Sequence, residues 1–127
     1  MSFPFNPTSG PIRVWGELEG PGGLTPLRLL LDTGADHTFL ALPSLLAVGY
    51  GPASAQPRAQ VMLVSGSMSV PICPALSVRA LGQKRIQLPV GGHVFPPCAN
   101  ADGLLGLDFF RGFELTIDFR GGQITLV

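Results

Sequence analysis

The chain has 127 residues, enough for one domain with its own core and too few for two. Hydrophobic residues make up 46% and charged ones only 13%, so a core is well supplied and the surface is poor in charge, as suits a protein that hides surface in a partner. The net charge is zero and no basic run exceeds Lys84-Arg85, while no apolar run reaches the roughly 18 residues of a membrane span, so neither nucleic acid nor membrane is an expected partner.

The start, MSFPFNPTSGP, lacks the basic head and apolar centre of a signal peptide. The expected compartment is therefore the cytoplasm, where Cys73 and Cys98 stay reduced and act as small apolar residues. Residues 1–11 carry three prolines and no periodicity and read as an extended arm. From residue 12 the pattern alternates: Ile12, Val14 and Leu18 share one face, Arg13, Trp15 and Glu17 the other, which is a strand. Pro21-Gly22-Gly23 turns the chain into a second strand, Leu24 to Leu31, whose leucine-rich end is expected to be buried on both faces. Thr38 to Leu40 reads as a short strand, and Pro43 to Val48 as one or two helical turns. A Gly/Pro/Gln-rich loop, 51–60, leads to a hairpin in which Val61–Val64 and Met68–Ile72 flank a tip of Ser65-Gly66-Ser67, with Pro71 placing the return strand at an edge. Leu76 to Leu81, Arg85 to Leu88 and His93 to Phe95 are further strand candidates, Gly91-Gly92 reads as a turn, and Asp108 to Phe113 reads as a helical turn. Phe113 to Phe119 alternates, Gly121-Gly122 turns, and Gln123 to Val127 closes a last hairpin. Many short strands at close spacing indicate an all-β fold, barrel or sandwich, with residues 1–11 as an arm and 12–127 as one domain. The 17 glycines and 13 prolines then read as turns of a β chain rather than as disorder.

Asp32 ends the leucine run and precedes Thr33-Gly34-Ala35. Asp and Gly also favour ordinary turns, so the tripeptide alone decides little. A carboxylate on a rigid apolar strand end is, however, what water activation by paired acids requires. One acid, ionised, takes a proton from water, and the other, protonated, holds the carbonyl oxygen; two acids so close cannot both ionise. Each proton transfer is worth roughly 10²–10⁴-fold. Downstream, Ala101-Asp102-Gly103-Leu104-Leu105-Gly106-Leu107-Asp108 supplies an apolar-apolar-Gly segment ahead of a short helix, and the glycine-tipped hairpin at 61–72 lies between the two. In this order, over residues 12–127, these features resemble the retropepsin-like aspartic proteases, the family of the retroviral proteases and their cellular relatives. The resemblance implies a closed barrel-like all-β fold with a flap hairpin and one or two short helices, and a peptidase with no metal and no cofactor.

Of the eight acids, only Asp32 is followed by Thr-Gly. The second carboxylate of a dyad must then be Asp32 of another copy, brought to a twofold axis in a homodimer. The resemblance assigns catalysis to Asp32 in both copies, a hydrogen bond across the axis to the Thr33 hydroxyl, and contacts with substrate backbone to Gly34 and Asp36. It makes Ser65, Gly66, Ser67 and Met68 a flap over the peptide, and Pro97, Ala99 and Asn100 the lining of a side-chain pocket. Ala35 has no hydroxyl with which to stabilise the ionised dyad, so the expected working pH is weakly acid to neutral. Leu107 stands where the retroviral enzymes carry an Arg paired to the acid matching Asp36, which leaves Arg13 or Arg111 as its expected partner here. His37, beside the motif, reads as exposed and inert. His37, His93, Cys73 and Cys98 lack zinc-ligand spacing, and no serine sits in G-x-S-x-G. The expected function is hydrolysis of extended peptides, apolar beside the cut. The alternative is a dimer of the same fold that binds peptides and cleaves little.

Overall fold

Alternating side chains build the first long hairpin. In a computed structural model, which describes residues 1–52, 56–63 and 65–127, a short β1 (Ser2–Pro4) is followed by β2 (Arg13–Gly20) and β3 (Gly23–Leu31). Val14 and Leu18 on β2 and Leu27 and Leu29 on β3 are buried, while Arg13 and Trp15 face outward. Each fully buried leucine contributes about 1.5–3 kcal/mol by leaving water. The expectation that β3 is buried on both faces holds only in part, since Leu24 is exposed and Leu30 and Leu31 are half-buried. Next come β4 (Phe39–Ala41), α1 (Leu42–Ala47), β5 (Arg58–Leu63), β6 (Gly66–Ala80) and β7 (Gln83–His93). A single 3-10 turn (Pro97–Ala99), β8 (Gly103–Leu105), α2 (Leu107–Phe110), β9 (Leu115–Asp118) and β10 (Gln123–Leu126) complete the described chain.

Six strands close on themselves in the order β2-β3-β8-β4-β7-β6, with β6 returning to β2. The closing pairs run from Gly16↔Ala80 to Glu19↔Ser77. Inside lie Leu18, Leu27, Leu29, Leu40, Val78, Val90, Leu105 and Phe109, all fully buried. Between the stretches of β6 that pair with β5 and with β2, the Tyr50 hydroxyl fills the gap. It donates to the Glu19 carbonyl (2.7 Å) and accepts from the Leu76 N–H (2.7 Å).

Several expected boundaries move. The hairpin pairs as far as Leu63↔Gly66, so Gly66, Ser67 and Met68 are strand residues rather than its tip; Val64, expected in the same hairpin, and residues 53–55 of the expected loop lie outside the described residues. Pro71 is tolerated because Ile72 donates to the Pro57 carbonyl, which turns the Pro71 nitrogen away from β5 at a point where pairing to β7 has not begun. The two strands expected at 68–72 and 76–81 are one strand of 15 residues. Its turn into β7 falls at Leu81-Gly82, both with positive φ (53° and 77°), a residue earlier than the glycine suggested.

Gly91-Gly92 is not a turn. Both residues lie within β7, opposite Phe39 and Leu40 of β4. A Cβ on Gly91 would stand 2.8 Å from the Phe39 ring, and one on Gly92 2.7 Å from Leu42, so the glycines are there for close approach. The first residues are docked: β1 pairs with β10, which pairs with β9, as a separate three-stranded sheet.

Candidate active site

The leucine run of β3 ends inside the barrel wall, and the chain leaves it at Asp32. Strand β8 runs between β3 (parallel, Leu31↔Leu105) and β4 (antiparallel, Phe39↔Leu104), so the loop 32–38 crosses over its end. Six hydrogen bonds fasten that loop to 105–108. Asp32 N donates to the Leu105 carbonyl (3.0 Å), and the Ala35 and Asp36 carbonyls accept from Leu107 N (2.8 Å) and Asp108 N (3.2 Å). The other three involve side chains: the buried Thr38 hydroxyl accepts from Gly106 N (3.1 Å) and donates to Asp108 Oδ1 (2.7 Å), and the second Asp108 oxygen accepts from Thr38 N (3.1 Å). Gly106 lies so close against the His37 and Ala35 carbonyls that a Cβ there would overlap backbone. Within the loop, Gly34 N donates to Asp32 Oδ1 (2.9 Å), orienting the carboxylate from below.

Asp32 is half-buried and opens onto a groove of about 210 Å³ lined by Ala35, Phe39, Met68, His93, Phe95 and Leu104. Its floor belongs to a second apolar cluster, in which Phe39, Val61 and Val70 pack with Met68, Ile72, Phe95 and Leu104 under the β5–β6 hairpin. Asp32 is the one carboxylate on this groove. Among the described residues no group of three or more His, Cys, Asp or Glu side chains is placed to hold a metal ion.

Of the residues singled out in the sequence, Asp32, Ala35 and Met68 meet on the groove. Thr33, Gly34 and Asp36 are exposed on the loop beside it, and Ser65, Gly66 and Ser67 are exposed at the end of the hairpin. Pro97, Ala99 and Asn100 do not line this groove. They form the 3-10 turn and its left-handed cap, held by Arg13 on the Ala99 (3.1 Å) and Asn100 (3.3 Å) carbonyls and by Arg28 on the Asn100 side chain. Arg13 is thus engaged away from Asp36, and neither it nor Arg111 forms an ion pair with that acid; the described ion pair is Arg28 with Asp102 (3.2 Å). His37 is half-buried, not exposed, because Gly106 packs on its carbonyl.

Phe39, His93, Phe95 and Leu104 were not assigned to the site from the sequence. A period-2 reading carries the signal for three of them: His93 and Phe95 are two apart, and Leu104 faces away from the core that its neighbour Leu105 enters. Around the site, burial would raise the Asp102 carboxyl, but the side-chain and backbone hydrogen bonds of Arg28 and its charge outweigh that and hold it below the usual carboxylate range. Burial pushes the Cys73 thiol up; Cys73 and Cys98 are both free, the first buried and the second exposed. No helix among the described residues is long and apolar enough to cross a membrane.

The fold is shared with solved structures. A retropepsin-like aspartic protease from Rickettsia conorii superposes over 99% of this chain and 88% of its own, with a TM-score of 0.72 at 16% identity. The EIAV protease complexed with the inhibitor HBY-793 covers 82% of this chain and 88% of its own, with a TM-score of 0.56 at 20% identity. No curated protein matches the chain significantly. The family model described as aspartyl protease matches residues 14–109, a span that runs from β2 through the Asp32 loop and the hairpin to α2. With the Asp-Thr-Gly loop riveted to β8 on a closed six-stranded barrel, the chain belongs to the aspartyl protease family and has the retropepsin-like fold.

Proposed function

We propose that two copies of this chain pair about a twofold axis as an aspartic endopeptidase, each copy supplying one Asp32. The observation that carries this reading is an open apolar groove with a single carboxylate on it, in a chain of the aspartyl protease family. One Asp32 cannot both take a proton from water and donate one to the substrate carbonyl; two on an axis can, because their proximity leaves one proton shared between them. The ionised Asp32 removes a proton from water, the water oxygen attacks the peptide carbon, and the protonated Asp32 gives its proton toward the carbonyl oxygen. Collapse of the tetrahedral species returns a proton to the leaving nitrogen, with no covalent enzyme intermediate.

The exposed Thr33 and Gly34 are available to the partner loop and to substrate backbone, with Asp36 beside them. Ser65, Gly66, Ser67 and Met68 would cover an extended peptide, while Pro97, Ala99 and Asn100, on their turn, would border its far end. The apolar lining favours hydrophobic residues near the cut. The proposed step needs only water and the two carboxylates. Ala35 on the groove wall offers no hydroxyl to the dyad, which sets the working range at weakly acid to neutral pH.

The test combines sedimentation with cleavage of a mixed peptide library by wild type and Asp32→Asn. The wild type is expected to dimerise, with activity rising faster than linearly with protein concentration, and Asp32→Asn is expected to dimerise and lose roughly 10³-fold or more in kcat/KM. Equal cleavage by both proteins, or full activity from a monomer, would overturn the dyad. A rate profile peaking below about pH 3.5 would overturn the inference from Ala35. A dimer that binds peptides without cleaving them would establish the alternative, a peptide-binding dimer.

A further inference from the structure

The groove beside Asp32 contains one polar side chain that the hydrolytic mechanism does not use. His93 sits at the end of β7, half-buried, its ring edge-to-face with Phe39 (6.3 Å between centroids, 72° between planes) and with Phe95 (5.1 Å, 85°). These two rings fix its orientation while contributing no hydrogen-bonding group. Among the described residues no hydrogen bond reaches either ring nitrogen, so the imidazole is held on the groove wall with both nitrogens available to a ligand.

The remaining lining comes from several elements and is uncharged apart from Asp32. Ala35 belongs to the loop, Phe39 to β4, Met68 to β6, Leu104 to β8, and Phe95 follows β7. A substrate side chain entering this groove therefore meets apolar walls suited to a methylene stem and one imidazole suited to its end.

Resting on the reading of this groove as a substrate cleft, we propose that His93 is a specificity-determining residue that selects a glutamate side chain at one position flanking the scissile bond. A glutamate lays two methylenes along Phe39 and Leu104 and brings its carboxylate to the imidazole. Leucine fills the same space but leaves the imidazole unpaired, and glutamine offers a neutral hydrogen bond only. The Asp32 charge opposes a second carboxylate, so glutamate is selected only while the imidazole is a cation. A charged imidazole is therefore what separates glutamate from glutamine here, and raising the pH removes that charge.

The experiment sequences the products of a random octapeptide library cleaved at pH 5.5 and pH 8 by wild type, His93→Leu and His93→Gln. At pH 5.5 the wild type is expected to enrich glutamate over glutamine about five- to tenfold at one position, the difference between a charge-assisted and a neutral hydrogen bond, and to lose that enrichment by pH 8. Neither variant should show the pH-dependent enrichment, and His93→Gln, which keeps a neutral donor and acceptor, should show no preference for glutamate at either pH. Cleavage with no glutamate preference at either pH, or a preference that survives in both variants, overturns the proposal. A second readout separates it from the peptidase reading: imidazole resonances of His93 in Asp32→Asn, titrated with glutamate-bearing and glutamine-bearing peptide pools. If the wild type cleaves nothing but the glutamate pool alone shifts His93 at pH 5.5, the peptidase reading fails and the subsite stands. No shift with either pool overturns the subsite itself.

Discussion

Thr38 is fully buried, and its single hydroxyl both accepts from Gly106 N and donates to Asp108, directly under the Asp32 loop. Thr38→Val keeps the shape and strips both bonds, leaving a buried N–H and a carboxylate oxygen unpaired. The expected cost is about 2–3 kcal/mol in urea unfolding, with a fall in kcat, whereas Thr38→Ser should recover most of both. Little of this was legible. Asp32-Thr33-Gly34 declares itself because its residues are contiguous and chemically specific, but Thr38 and Asp108 are 70 positions apart and meet only because β8 runs between β3 and β4. Asp36 failed in the opposite way: the sequence suggested an arginine partner, but Arg13 is engaged by the 3-10 turn and Arg111 makes no ion pair.

At the scale of elements, alternation and turn residues located β2, β3, β4, β9, β10 and both helices, because burial of one face imposes the period directly, but they split β6, cut β7 short and missed β1 and β8. Glycine misled where it serves packing instead of turning. Gly91 lies mid-strand against Phe39, and a Cβ there would sit 2.8 and 2.9 Å from two atoms of that ring. Gly91→Ala is expected to cost about 1–3 kcal/mol by overpacking and to push Phe39 toward the groove, raising KM more than it lowers kcat. Thermal unfolding with steady-state kinetics checks both parts, and an alanine tolerated without either change would mean that β4 and β7 can separate freely. The Tyr50 hydroxyl, closing the gap beside β6, was equally illegible, since nothing local marks a tyrosine that bridges two distant strands.

On the scale of the whole molecule, an all-β fold and a closed barrel-like architecture were readable, while the strand order and the docking of the arm were not, because pairing depends on which edges remain free. The barrel rim also carries the main electrostatic term with a pH signature. Asp102 accepts from Arg28 N (2.8 Å), Nε (3.2 Å) and Nη2 (3.3 Å), and its carboxyl is depressed by these contacts against the opposing effect of burial. A depressed acid contributes stability above its unfolded pKa, ordinarily about 3.9, and that contribution disappears as the pH falls through the folded value. Asp102→Asn should therefore lower Tm at pH 7, and the two proteins should converge as the pH drops below about 4. A difference in Tm that stayed constant down to pH 2 would mean that packing, not charge, holds the pair.

The three-stranded sheet has a temporal side. Ser2 lies opposite Thr125, so β1 has no partner until residues 123–126 have been made. That pairing spans nearly the whole described chain, the kind of long-range contact that forms late and slowly.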